Sequence, residues 1–381
     1  MLSVGIDASR NRSGGAVAHL RGVLTSIDPS LYGIREVHVW AYKALLDSLP
    51  DHSWLHKHSP KAINKRLLSQ LLWQRFIFPH DFKRAGCEIL LNTDAGTVSR
   101  IRPCVTMSRD MLSYEPGVSQ LYGFSAARLR LIILRLVQNR SLRFANSVIF
   151  LTNYASEVIQ LSCGRLESVA MVPHGVGDDF KGNTNSVDSW PADPDQPIRC
   201  VYVSNAEPYK NQWTVVRAIS MLRKRGYNLK LVLIGGGRGP GQRLLLEAMR
   251  SEDPSGKFVE QLDFLPQSDL PRHLANSNIF IFASSCENMP NTLIEAMAMG
   301  LPIACSNRGP MPEVLMNGGV YFDPTDAESL ASSVQKLIES PSLRQDVSQR
   351  ARSLSDKYSW RRCAEDTWKV VRQTYEKVQR L

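Results

Sequence analysis

The residues best suited to chemistry lie in Ser284-Ser-Cys-Glu287-Asn-Met-Pro-Asn291-Thr292-Leu-Ile-Glu295-Ala-Met-Ala-Met-Gly300, where two carboxylates stand eight positions apart. Glu287 falls in a polar loop. The apolar pattern after it predicts a helix over 292–299, with Asn291 as its N-cap and Glu295 about one turn in, able to face back toward the loop. A carboxylate can accept hydrogen bonds from both hydroxyls of a ribose, and a second one nearby can hold sugar hydroxyls, so the pair suits a nucleotide-sugar. The plainer reading is a glutamate complementing a helix dipole and an exposed loop glutamate.

Two further stretches belong with it. Tyr202-Val-Ser204-Asn205-Ala-Glu-Pro-Tyr-Lys210-Asn211 joins a strand to a helix, where an ammonium group could neutralise charge developing on a departing phosphate or could simply face solvent. Asp7-Ala-Ser-Arg-Asn-Arg-Ser-Gly14-Gly15-Ala-Val-Ala-His-Leu20 runs from a strand through a polar loop to a glycine pair and an apolar-periodic helix. Glycines there let backbone amides approach a phosphate at a helix N-terminus, or merely make a tight turn.

The elements that must position these groups alternate. Strand-like runs at 2–7, 37–40, 88–92, 105–107, 148–151 and 169–172 are separated by helix-like ones, which implies a parallel sheet. A Pro/Asp/Gly/Asn-rich stretch over 173–197 reads as a linker. A second alternating series follows, with strands at 200–204, 231–234, 279–282 and 303–305 and helices at 213–224 and 292–299; residues 343–381 are helical in pattern. The fold class expected is α/β, two Rossmann-like doubly wound domains facing across a cleft. The first domain is 1–175, completed by a C-terminal helix over 361–381, and the second is 176–360.

Composition narrows the partners. The chain has 381 residues, enough for two domains, with 43% hydrophobic and 22% charged residues, as in a folded soluble protein. No apolar run reaches the ~18 residues of a membrane span, and no basic leader opens the chain, so a cytoplasmic location is expected. Seven cysteines without a Cys-x-x-Cys pair suggest free thiols rather than zinc or disulfides. Residues 1–175 hold 21 Lys/Arg against 12 Asp/Glu, a charge of +9 out of +10, so this half should attract something anionic. Nucleic acid is not expected, because neither zinc-finger spacing nor an RNP-type aromatic motif is present. The glycines from Gly235 to Gly241 meet Pro240 where a dinucleotide fingerprint needs its last glycine, which argues against an oxidoreductase.

Residues 62–84 mix Lys65, Arg66, Arg75, Lys83 and Arg84 with Leu67, Leu68, Leu71, Leu72, Trp73, Phe76 and Phe78 on what reads as one helix, and Arg128, Arg130, Arg135, Arg140 and Arg143 form a second cluster. Either the apolar positions pack inward and the basic ones face water, or the region attaches peripherally to an anionic leaflet on the inner face of the plasma membrane.

Taken together, these residues resemble the retaining glycosyltransferases of family 4, which have the GT-B fold. The Glu-x7-Glu of Glu287 and Glu295 carries the resemblance, after Lys210-Asn211 and Gly235-Gly236-Gly237; Val172-Pro-His-Gly-Val176, Phe264-Leu-Pro, Gly309-Pro-Met-Pro-Glu-Val314 and Tyr321-Phe-Asp-Pro324 extend it. It implies a UDP- or GDP-sugar donor bound mainly by the second domain. Glu295 would take the ribose, Glu287 the transferred sugar and Lys210 the diphosphate. Ser204, Asn205, Asn291 and Thr292 would line the donor site, and Gly14 and Gly15 would close over the phosphates. Many relatives have an arginine where Asn205 stands and a histidine where Ser108-Arg109-Asp110 stands, so Arg109 or Asp110 replaces that histidine. The acceptor would be a saccharide or lipid-linked saccharide in bacterial-type surface polysaccharide synthesis. No cofactor or metal is expected, on the reading that the chain offers no Asp-x-Asp to hold a divalent ion between carboxylates. An epimerase of the same fold or a non-catalytic nucleotide-sugar-binding subunit are the alternatives.

Overall fold

The computed structural model describes residues 1–12, 14–181, 190–191, 193 and 195–380. Part of the expected linker, residues 182–189, 192 and 194, therefore lies outside the described residues. The chain divides into two compact units, Met1–Gly175 with Tyr358–Leu381, and Val176–Lys357.

The first unit is built on a seven-stranded sheet of β1 (Leu2–Asp7), β2 (Ile34–Trp40), β3 (Leu55–His58), β4 (Ile89–Asn92), β5 (Cys104–Met107), β6 (Ser147–Phe150) and β7 (Val169–Met171), in the order β3-β2-β1-β4-β5-β6-β7. All its pairings are parallel. β1, β4, β5 and β6 are buried along their whole length, as a strand covered on both faces must be. Helices start where side chains can satisfy their free amides: Ser125 Oγ accepts from Arg128 N at 3.3 Å and Thr152 Oγ1 from Ala155 N at 3.2 Å. The C-terminal helix Trp360–Gln379 belongs to this unit, with Thr374 Oγ1 donating to Ser147 Oγ at 2.8 Å and Tyr375 Oη to Glu88 Oε1 at 2.8 Å. Gly22 is required beneath it, since a Cβ there would lie 2.3 Å from the Trp360 ring.

The second unit carries β8 (Ile198–Val203), β9 (Leu229–Ile234), β10 (Val259–Leu262), β11 (Ile279–Phe282), β12 (Ile303–Ser306) and β13 (Val320–Phe322), again all parallel, in the order β10-β9-β8-β11-β12-β13. In both sheets the order reverses direction once, between β1 and β4 and between β8 and β11. Loops leaving the carboxyl ends of those neighbours diverge to opposite faces and open a crevice.

Two expectations need correction. Residues 62–84 are not one helix: a 3₁₀ turn (Lys61–Asn64) precedes an α-helix (Leu67–Leu72), a π-helical turn (Trp73–Ile77) and a second α-helix (Phe78–Arg84). The π turn shifts the face presented, so Trp73, Phe78 and Phe82 are buried with Trp40 and Ile63 while Leu67, Leu68, Leu72, Phe76 and Ile77 are exposed. Nor does Asn291 cap the next helix. That helix is Asn291–Ala298, Pro290 occupies the cap position without a side-chain hydrogen bond, and Asn291 is its first residue.

Candidate functional site

The crevice of the second unit brings together the residues singled out by spacing. Lys210 ends a 3₁₀ turn (Pro208–Lys210) on the loop after β8, and Glu287 lies on the loop after β11, so the two flank the point where the strand order reverses. Lys210 Nζ donates to Glu287 Oε1, and both side chains are 14% exposed. The pair is thus partly dried yet reachable from solvent.

What holds these loops in register is Asn211, which follows Lys210 in the left-handed region (φ +52°). It is buried, and its amide donates to Ala283 O at 2.9 Å and Ser285 Oγ at 2.7 Å, while Ser285 N donates to Tyr209 O at 2.7 Å. Asparagine suits the position twice over, since it tolerates positive φ and its amide reaches backbone across the crevice. Gln212 Nε2 holds Ser204 O at 2.9 Å and Oγ at 3.0 Å, and Thr292 Oγ1 donates to Val203 O at 3.2 Å, pinning the first turn of the Asn291–Ala298 helix to the end of β8. Asn205 is exposed. The glycines after β9 serve close approach: Gly235 sits at φ +116° with Ser204 O 2.4 Å from where a Cβ would be.

Glu295 is buried on that helix. Oε1 accepts from Gln267 Nε2 at 3.1 Å, whereas Oε2 has no partner among the described residues. Burial raises its pKa to about 8, with the Gln267 hydrogen bond pulling the other way. A buried carboxyl with an unused oxygen is prepared to accept donors from a ligand. Gln267, three residues beyond the start of Phe264-Leu-Pro, had no role in the sequence reading; its place immediately after that motif was the available signal.

In the first unit the equivalent strand ends carry Asp7, Thr93 and the loop after β5. Gly14 has φ +58°, which favours glycine, and precedes the helix Gly15–Thr25, whose Val17 and Ala18 amides return to Gly14 O. Asp7 is buried, its pKa raised by burial, with its carboxylate held by Ser9 at 2.6 Å and Gln74 at 2.7 Å. The Arg109 side chain is 9% exposed: Nη2 donates to Asn11 Oδ1 at 2.8 Å and lies 3.8 Å from Asp94 Oδ2, while Nε and Nη1 have no hydrogen-bond partner among the described residues. Asp110 instead turns inward, accepting from Gln138 Nε2 at 3.1 Å and Leu112 N at 2.9 Å, with burial raising its pKa. Arg109 is thus the residue of the Ser108-Arg109-Asp110 stretch with donors to spare. The expectation that the chain offers no Asp-x-Asp needs correction: Asp193-Pro-Asp195 is one, in the linker ahead of β8, where Asp193 Oδ1 accepts from Asp195 N at 2.9 Å.

Two doubly wound parallel sheets of these orders, each with a polar crevice at its carboxyl edge, define the GT-B fold of glycosyltransferases. Comparison with known proteins agrees: residues 188–354 match the family model described as glycosyl transferases group 1. Over 167 residues, 44% of the chain, the sequence is 26% identical to O-antigen chain mannosyltransferase B of Escherichia coli, spanning 44% of that protein's length. Indeed the chain spans only about half the length of the curated relatives it matches first. Among solved structures, sucrose-phosphate synthase from Thermosynechococcus elongatus superposes with a TM-score of 0.76 at 16% identity, covering 99% of this chain and 100% of the other. Anabaena Alr3699/HepE in complex with UDP and glucose superposes with a TM-score of 0.71 at 17% identity, covering 100% of both.

Proposed function

We propose that the protein is a retaining glycosyltransferase of family 4 that moves a sugar from a UDP- or GDP-sugar to a saccharide or lipid-linked saccharide in bacterial-type surface polysaccharide synthesis. The observation that carries this reading is the second-unit crevice, where the Lys210–Glu287 pair bridges the switch point near a helix whose Glu295 keeps one buried oxygen unpartnered. The mannosyltransferase relative and the UDP-bound structural neighbour support the donor class.

Glu295 accepts the ribose hydroxyls, Glu287 orients the transferred sugar, and Lys210 meets the charge that gathers on the diphosphate as the glycosidic bond breaks through an oxocarbenium-like state. The Asn291–Ala298 helix adds the partial positive charge of its N-terminus beside Asn291 and Thr292. Ser204 and Asn205 border the donor. With cations and amides in these roles the transfer runs without a bound metal. Arg109 supplies further positive charge through its two free donors; unaltered turnover in Arg109→Ala removes it from the catalytic set. Incubation with UDP- and GDP-sugars, read by mass spectrometry, is expected to give hydrolysis or transfer products. Epimerised donor would establish the epimerase reading, and an unchanged donor the silent-subunit reading.

The first unit is proposed to rest on an anionic membrane surface. Leu121, Phe124, Leu129, Ile132, Ile133 and Leu136 are exposed on or just before the Ala126–Phe144 helix, as are the five apolar residues around the π turn. Neither 52–80 nor 116–156 contains a single Asp or Glu. The two stretches adjoin, because Phe144, at the end of that helix, packs against the core cluster that holds Trp73 and Phe78. Exposed apolar side chains among unopposed arginines match a leaflet that offers acyl chains beneath negative headgroups. Among the described residues no helix is long and apolar enough to span a bilayer. Sedimentation is expected with vesicles containing anionic lipid and not with neutral ones, and Phe124→Ser with Arg75→Gln should reduce it. No binding to anionic vesicles at low salt refutes the assignment.

A further inference from the structure

The outer strands of the first sheet carry a group of imidazoles that sugar transfer does not use. β2 places Glu36 and His38 two residues apart, hence on one face, and the register sets His56 of the edge strand β3 opposite His38. One carboxylate oxygen of Glu36 and one ring nitrogen each of His38 and His56 all lie within 4.8 Å of one another. His38 is 7% exposed; its Nδ1 is 3.0 Å from His58 Nε2, while its Nε2 is 3.7 Å from Glu36 Oε2 and has no hydrogen-bond partner among the described residues. The His38 and His56 rings stack with centroids 4.5 Å apart. Buried ring nitrogens are ordinarily satisfied, and this one has the Glu36 carboxylate beside it instead, with the His56 ring stacked over the face of its own ring.

We propose that Glu36, His38 and His56 bind one divalent first-row cation of the Zn²⁺ class, tying the edge strand β3 to β2 and leaving a fourth position to water. Two imidazole nitrogens and a carboxylate oxygen are a donor set that Zn²⁺ accepts in tetrahedral geometry. His58 acts from the outer shell: when His38 Nδ1–H donates to it, the His38 Nε2 lone pair turns toward the site. The competing cations are accounted for. Arg35 Nε lies 3.9 Å from Glu36 Oε1 on a largely exposed side chain, and Lys57, between the two histidines on β3, points to the other face and holds Leu49 O at 2.7 Å. β3 is only four residues long with one free edge, so a metal bond from each strand would fasten it where backbone pairing alone is short.

The test uses the full chain, stripped with chelator and titrated with ZnCl₂ by calorimetry and thermal melting, and with Co²⁺ by absorption spectroscopy. One equivalent should bind and raise the melting temperature, and the cobalt spectrum should show ligand-field bands without thiolate charge transfer. His56→Ala and Glu36→Gln, both at incompletely buried positions, should each weaken binding by at least about tenfold. Absence of saturable binding in the wild-type chain, thiolate charge transfer, or undiminished affinity in either variant overturns the three-residue site.

Discussion

Lys210→Ala is expected to lower turnover by about 10²- to 10³-fold, the usual cost of removing one preorganised donor from charge that develops in a transition state. The structure explains why this cation is prepared for that task. Its ammonium is already held at the switch point by Glu287, in a position 14% exposed, so little reorganisation is needed when a phosphate arrives. Asn211 clamps the loop that carries it through three hydrogen bonds to backbone and Ser285. Nucleotide affinity should fall much less than turnover, because the charge on the diphosphate grows most as the bond to the sugar breaks. Removing the ammonium also strips Glu287 of its partner. Combining Lys210→Ala with Glu287→Gln should therefore cost less than the two single losses together, as expected of groups that act as a unit. Unchanged turnover in a folded Lys210→Ala chain, checked by circular dichroism, rejects the role.

Glu295→Gln should produce two effects with different pH signatures. In the native chain burial raises this carboxyl from 4.5 to about 8, so between those values the folded state holds a proton that the unfolded state releases. Its contribution is fully present below pH 4.5, falls as pH rises toward 8, and is level above it, on the order of a few kcal/mol across the window. Denaturant unfolding of the unliganded chain at several pH values should show this decline, and Glu295→Gln should flatten it. A slope identical in both chains disproves the burial argument. The second effect concerns the nucleotide. Ribose hydroxyls donating to Glu295 favour its ionised form, so binding at pH 7 should expel close to one proton, measurable by calorimetry in buffers of different ionisation enthalpy. Glu295→Gln should abolish that release and weaken binding by roughly 1.5 to 3 kcal/mol, the range for charge-assisted hydrogen bonds, with the larger loss at alkaline pH. Equal nucleotide affinity in the two chains removes the ribose assignment.

Periodicity made most of both sheets legible. The central strands β1, β4, β8 and β11 are short runs of apolar residues, and burial on both faces of a parallel sheet selects that composition. The strands it missed lie at or near sheet edges. β3 is Leu-His-Lys-His and β10 is Val-Glu-Gln-Leu, polar because only part of each is covered, and β13 has three residues. The helical stretch before β4 departs from a single helix for another reason: its apolar residues outnumber those a single buried face accepts, and the π turn decides which of them are left outside.

The chemical types at positions 210, 287 and 295, and their place in loops and about one turn into a helix, were determined by sequence alone, since glycine, proline and apolar spacing act over a few residues. That Lys210 closes on Glu287, 77 residues away, was decided only by the strand order that sets β8 beside β11. The same holds for Gln267 reaching Glu295, Arg109 keeping two donors unspent, and Glu36 meeting two histidines across β2 and β3. Each depends on which strands become neighbours, and that is chosen by the burial free energy of the whole sheet, which no local pattern carries.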